Sequence, residues 1–209
     1  MNESMRPTFD RQSNRSRQLP HSIRQLGLFA LPALALAACE GEPAATPETG
    51  EAASEIAPRL IPPAPLIKPD GTSAGSVTVE ETPNGVGVTI AATGLAPGAH
   101  GVHLHAVGKC DAPKFESAGA HWNPAERQHG RDNPQGSHLG DLANIAIASD
   151  GSGESIFSIG AARLGDGPNA VADADGTSLV IHAKADDYKT DPSGNSGDRI
   201  ACAVLTRAK

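Results

Sequence analysis

Beyond residue 70, apolar and polar positions alternate along much of the chain. In S-V-T-V-E at 76–80 and V-G-V-T-I-A-A at 86–92 the hydrophobic positions recur every second residue. That spacing puts one set of side chains on the buried face of an extended strand. Asp70-Gly71, Pro83-Asn84-Gly85 and Leu95-Ala96-Pro97-Gly98 break these runs with turn residues. Asp150-Gly151 joins N-I-A-I-A at 144–148 to the run 154–159 as a hairpin, and 179–182 and 200–205 supply two further strands. Short strands linked by Gly/Pro turns predict an all-β fold, an antiparallel sandwich or barrel. Two long segments, 107–140 and 184–198, lack the pattern, and loops of that length inside a compact domain are usually functional.

The first 65 residues follow a different rule. Residues 1–25 are polar and carry Arg6, Arg11, Arg15, Arg17 and Arg24; residues 26–38 are apolar and end in L-A-A-C. A basic region, a short apolar run and small residues predict a secretory signal. The 13-residue run falls short of the roughly 20 residues that span a membrane. Pro32 and the lack of a polar face argue against a buried helix. Closing on a cysteine makes residues 1–38 resemble a bacterial lipoprotein signal, with Cys39 lipidated and the chain held in the cell envelope facing the periplasm. Residues 39–65 hold six prolines and five glutamates, a composition that cannot bury enough surface to order itself and is expected to act as a tether. The folded domain is expected over 66–209.

Composition adds two constraints. Aromatic residues are 3% of the 209, so the core must come from Val, Ile, Leu and Ala. From Cys39 onward 12 Lys and Arg face 22 Asp and Glu, a formal charge of −10, which argues against a nucleic-acid partner.

The histidines change the picture most. Of eight in the chain, five lie between residues 101 and 141: His103, His105, His121, His129 and His138, with Asp141 at the end; His182 follows on a later strand. His103 and His105 on one strand share a face, about 6.6 Å apart at roughly 3.3 Å per residue, a workable pair for one ion. Three imidazoles and a carboxylate suit tetrahedral zinc, and an all-imidazole set without thiolate suits copper or zinc.

The segments G-V-H-L-H, S-A-G-A-H-W-N-P, H-L-G-D-L, V-I-H-A-K-A-D-D-Y and G-D-R-I-A-C resemble, in order and context, the signature of the bacterial copper/zinc superoxide dismutases, over roughly 70–205. The resemblance implies an eight-stranded antiparallel Greek-key β-barrel with two long functional loops. It implies copper on His103, His105, His121 and His182, and zinc on His121, His129, His138 and Asp141, with His121 bridging the two. Asp186 takes the place of the carboxylate that links a copper-side and a zinc-side histidine. Cys110 and Cys202 match the family's disulfide, and Arg199 matches the arginine that guides the superoxide anion; Lys184 and Lys189 are weaker candidates for that task. The activity implied is conversion of superoxide to dioxygen and hydrogen peroxide, with Arg199 and His121 as its catalytic residues. The alternative, a periplasmic lipoprotein that buffers copper and zinc without turnover, has no need of Arg199. His21 and His100 fit no ligand position, and Asp187 is expected to be solvated. Bacterial members differ in whether they dimerise, so a homodimer stays open. The family's first strand falls near residues 60–68, where Pro62, Pro63 and Pro65 stand. Proline cannot donate to a ladder, so this strand is expected to be short or irregular, starting near Leu66.

Overall fold

The computed structural model describes residues 60–206; the leader, Cys39, His21 and residues 40–59 of the expected tether lie outside them. Nine strands follow in order: β1 Leu60–Ile67, β2 Ser73–Thr82, β3 Gly85–Ala92, β4 Gly98–His100, β5 Val102–His105, β6 Ile145–Ile147, β7 Gly153–Ile159, β8 Thr177–His182 and β9 Arg199–Leu205. Seven form one antiparallel curled sheet in the order β5-β8-β9-β1-β2-β3-β7, while β4 pairs with β6. The chain runs β1 to β3 as hairpins, crosses to the far edge for β5, returns to β7 beside β3, and crosses again to β8. These are the long connections of a Greek key. Among the described residues the one helical element is a 3₁₀ turn, Glu116–Ala118. The all-β expectation holds, and the eight strands become nine because Gly101 divides one run into β4 and β5. Gly101 is buried, and a Cβ on it would lie 2.9 Å from Ser196 Cβ, so no larger side chain fits where the run passes from one ladder to the other.

The expected start of β1 is corrected. The strand begins at Leu60, six residues before the position inferred from its prolines. Pro62 and Pro63 sit inside a register shift, where Ile61 opposes Val79 and Ala64 opposes Val77, so the bulge absorbs the residues that cannot donate. On its other side β1 touches β9 at the single pair Ile67↔Cys202, and there is almost no ladder there for proline to break. Ile61, Ala64 and Leu66 still point into the barrel, and that burial holds the strand in place.

The core follows the composition. Val77, Val79, Val86, Val88, Ile90, Leu104, Ile145, Leu179, Ile181 and Leu205 are buried, each such side chain contributing roughly 1.5–3 kcal/mol by leaving water. A smaller cluster of Phe115, Ala118, Val180 and Cys202 lies under the loop that follows β5. Through it runs the Cys110–Cys202 disulfide, with Cα atoms 5.8 Å apart, as the resemblance implies. Two connections leave the barrel on the side of β5 and β8, residues 106–144 and 183–198, and between them they build the site.

Candidate metal centre

Strand β5 turns Val102 and Leu104 into the barrel core and His103 and His105 to the opposite face, under the loops, and β8 ends on His182 beside them; all three histidines are buried. His121 folds over from the loop, its ring centroid 4.0 Å from that of His103 and 4.9 Å from that of His105. Each of these rings uses one nitrogen to fix itself. His103 Nε2 lies 3.0 Å from Asp186 Oδ2, His105 Nδ1 2.9 Å from the Gly119 carbonyl, and His182 Nδ1 3.0 Å from the Gly197 carbonyl. The proton of each neutral ring is thereby drawn to its outer nitrogen, and the inner one is left as a lone pair. His103 Nδ1 and the Nε2 atoms of His105, His121 and His182 are all buried with no hydrogen-bond partner, although these four residues offer atoms within 4.8 Å of one another. Buried nitrogens are normally satisfied. Four convergent lone pairs repel one another unless a cation sits among them.

A second set surrounds Asp141. Its Oδ1 lies 3.1 Å from His121 Nδ1, 3.0 Å from His129 Nδ1 and 3.0 Å from His138 Nδ1. One carboxylate oxygen has too few lone pairs for three such donors together with their geometry, and the His129 contact has the distance but not the alignment of a hydrogen bond. Ligands on a tetrahedral ion with bonds of about 2.0 Å stand about 3.3 Å apart, close to what these contacts show. His103 also has an atom within reach of His121, His129 and Asp141. Its Nε2 is committed to Asp186, however, and its Nδ1 belongs to the first set, so His138 is the fourth member of the second. His121 belongs to both.

Asp186 joins the sets. Its side chain is fully buried, with Oδ2 on His103 and Oδ1 3.0 Å from His129 Nε2. Asn144 holds it from behind: Asp186 N donates to Asn144 Oδ1 at 2.8 Å, and Asn144 Nδ2 donates to the Asp186 carbonyl at 3.0 Å.

Electrostatics follow burial and these carboxylates. Burial lowers His103 and takes His105 down to about 2, His121 to about 4 and His182 to about 3, so these rings are neutral and available as ligands at ordinary pH. His129 moves the other way, to about 9: burial opposes, but the Asp141 and Asp186 carboxylates outweigh it and favour a cation at that place. For Asp141 burial pushes upward, yet the hydrogen bonds from His121 and His138 and the close His129 ring hold it far below the usual carboxylate range.

Arg199 opens β9 and is half-buried beside the first set. Its Nη1 donates to the Phe115 carbonyl at 2.6 Å and its Nη2 to the Gly119 carbonyl at 2.7 Å, the same oxygen that fixes His105. A cleft of about 520 Å³ leads to these residues, with His105, His121, His182, Asn123, Arg127 and Arg199 on its walls.

The structure therefore brings together every expected site residue among the described ones. His100 stays outside, as expected, with its Nδ1 2.7 Å from the His182 carbonyl and its Nε2 2.9 Å from that of Ala96. Asp187 is exposed but not merely solvated. It accepts from Thr190 Oγ1 at 2.7 Å, Thr190 N at 2.8 Å and Asn195 Nδ2 at 2.9 Å, and those bonds lower its pKa to about 2. Arg127 and Asn123 were not singled out by sequence; Asn123 clasps the Arg127 backbone through its amide nitrogen at 2.7 Å and its amide oxygen at 3.0 Å. A charged residue between two ligands, in N-P-A-E-R, was the available signal.

The family model for copper/zinc superoxide dismutase matches residues 73–205. The chain is 46% identical over 139 residues to the copper/zinc superoxide dismutase of Caulobacter vibrioides, covering 65% of this chain and 80% of that one. It is 40% identical over 152 residues to copper/zinc superoxide dismutase 1 of Aquifex aeolicus, covering 72% and 90%. Among solved structures it is similar to a superoxide dismutase-like protein from Bacillus subtilis, with 38% identity, a TM-score of 0.66 and coverage of 68% and 97%. It is also similar to the Brucella abortus copper/zinc enzyme, with 25% identity, a TM-score of 0.54 and coverage of 69% and 98%. With the barrel, the two convergent donor sets and their bridging histidine, these likenesses place the chain in the copper/zinc superoxide dismutase family.

Proposed function

We infer that this protein removes superoxide, converting two superoxide anions and two protons to dioxygen and hydrogen peroxide. The observation that carries the reading is the pair of donor sets meeting at His121: four unpartnered lone pairs on one side and three Nδ1 atoms around one carboxylate oxygen on the other. His103, His105, His121 and His182 are the residues for copper; His121, His129, His138 and Asp141 are those for zinc. Copper held there would supply one-electron redox chemistry toward superoxide, whereas zinc has none and would support the loop that carries its ligands. Arg199 attracts the anion and hydrogen-bonds it at the mouth of the His103 set, and Arg127 adds positive charge on the same cleft. His121, whose Nδ1 lies 3.1 Å from Asp141 Oδ1, has one lone pair at Nε2 that would serve either copper or, when free of it, a proton from solvent. That proton would pass to peroxide, the second coming from solvent. Asp186 keeps His103 and His129 in the orientation their roles require.

The decisive experiment compares superoxide removal by protein loaded with copper and zinc against the metal-free protein. Rapid removal that requires copper is expected. Tight binding of both metals without turnover would replace this reading with a metal-buffering one.

The same proposal extends to location. The L-A-A-C sequence closing the apolar run supports lipidation of Cys39 and a membrane-held enzyme facing the periplasm. Cys39→Ser is expected to move the protein from the membrane fraction to the soluble one, and unchanged fractionation would refute the anchor.

A further inference from the structure

Tyr188 uses every polar or aromatic group it has, one on Asp186 in its own loop and three on the loop that carries His121, His129 and His138. Its backbone is in the left-handed region at φ 62°, uncommon outside glycine. That conformation aims its N–H at Asp186 Oδ1, 2.7 Å away, and its carbonyl at Asp132 N, 3.0 Å away. Its hydroxyl accepts from Asn144 N at 2.9 Å. Its ring carries the Arg131 guanidinium 3.8 Å from the centroid, within cation–π range. Close approach of the two backbones is permitted by Gly130, where a Cβ would overlap the Tyr188 carbonyl.

A tyrosine that only covered a loop would not behave this way. Tyr188 is half-buried and Arg131 exposed, so neither is fixed by the barrel core. Three of the four contacts instead join loop 184–198 to two separate parts of the other connection, 131–132 and 144, and the fourth stays within the loop on Asp186. They end on the carboxylate between His103 and His129 and on the residue that holds its backbone. Release of Tyr188 frees Asp186 Oδ1 from a donor and removes the tie that keeps the loop over His129.

We propose that Tyr188, with Arg131 stacked on it, is a positioning residue for the metal centre: it fastens the two loops together and sets Asp186 against His103 and His129. The proposal rests on the reading of His121, His129, His138 and Asp141 as the zinc ligands. Groups that orient ligands from behind are typically worth about 10–100-fold in metal affinity.

The test uses the full chain with copper(I) in the His103 set and cobalt(II) as the probe of the Asp141 set, whose visible bands report geometry as well as binding. Tyr188→Leu is expected to weaken cobalt binding about 10–100-fold and to alter the band shape. Arg131→Gln, which loses only the cation–π contact, is expected to cost about two- to five-fold. Tyr188→Phe, which keeps the ring for Arg131 and loses the hydroxyl, should fall between them. The melting midpoint of the metal-free protein is measured in parallel, since a merely structural role would lower it and leave the cobalt spectrum unchanged. Should Tyr188→Leu fail to fold, Arg131→Gln and Tyr188→Phe decide the matter. Wild-type affinity and spectrum in both would overturn the proposal. Failure of the ligand reading has its own signature, because His138→Ala would then bind cobalt as the wild type does.

Discussion

Replacing Arg199 tests whether the cleft works by charge. Two unit charges 4 Å apart interact by about 4 kcal/mol at an effective dielectric constant of 20. The guanidinium is half-buried in an open cleft, and solvent screens much of this, leaving about 1–1.5 kcal/mol. Arg199→Ala should therefore lower kcat/KM for superoxide about tenfold, and Arg199→Glu, which replaces attraction with repulsion of similar size, about a hundredfold. Arg199→Lys keeps the charge but not the two-pronged hold on the Phe115 and Gly119 carbonyls, so it should fall a few-fold. The assay is pulse radiolysis on protein of measured copper and zinc content, at salt from 0.01 to 0.15 M, where the screening length shrinks from about 30 to about 8 Å. The wild-type rate should fall with salt, and the slope should flatten in Arg199→Ala. Metal content is essential because Gly119 O also fixes His105. If the rate falls only in proportion to lost copper, Arg199 acts by holding His105. Full activity in fully metallated Arg199→Glu would refute guidance altogether.

Three further outcomes follow from the geometry. Breaking the Cys110–Cys202 bond, by paired serine substitution, frees a loop closed over 92 residues and should cost about 4–5 kcal/mol on the entropic model, read by denaturant unfolding. The metal-free protein should lose stability on acidification. His105, His121 and His182 have folded pKa values of about 2, 4 and 3, below the unfolded 6.5. The unfolded chain therefore takes up protons first, and their contribution, complete above pH 6.5, is lost as pH falls from about 6.5 toward 4; a flat calorimetric midpoint over that window would contradict it. Gly194→Ala should abolish binding at the Asp141 set, because at φ 62° a Cβ would overlap Asp186 Oδ1 and lie 2.7 Å from His129 Nε2; retention of zinc at wild-type affinity would show that the loop yields.

Most of the fold and the gathering of the histidines was legible because both are written locally. Alternation marks strands, and a histidine pair two residues apart on a strand shares a face whatever surrounds it. What sequence hid depended on distant partners. Pro62 and Pro63 read as a break in β1, yet the opposing β2 takes them up in a bulge, and the sparse β1–β9 contact asks nothing of their missing N–H groups. Tyr188 closed a motif without a role of its own, because its contacts lie in Asn144, Asp132 and Arg131, 44 to 57 positions earlier. Asp187 differs from Asp186 only in which way its carboxylate turns, a property of the backbone between them.

The two halves of the metal centre are wired to the chain differently. His103, His105 and His182 hang from neighbouring strands β5 and β8, so the folded barrel delivers them together. His121, His129, His138 and Asp141 arrive on a connection held to the strands by the Cys110–Cys202 disulfide, isolated bridges and single hydrogen bonds rather than by a continuous ladder, so its ordering costs conformational entropy that a ladder does not offset. Metal bound at the Asp141 set would therefore contribute its binding free energy to the ordering of that loop. Removal of metal is expected to leave the barrel ladders intact and to loosen the loop first, which hydrogen exchange of residues 121–141 would read. Zinc in this position would act on conformation as much as on chemistry.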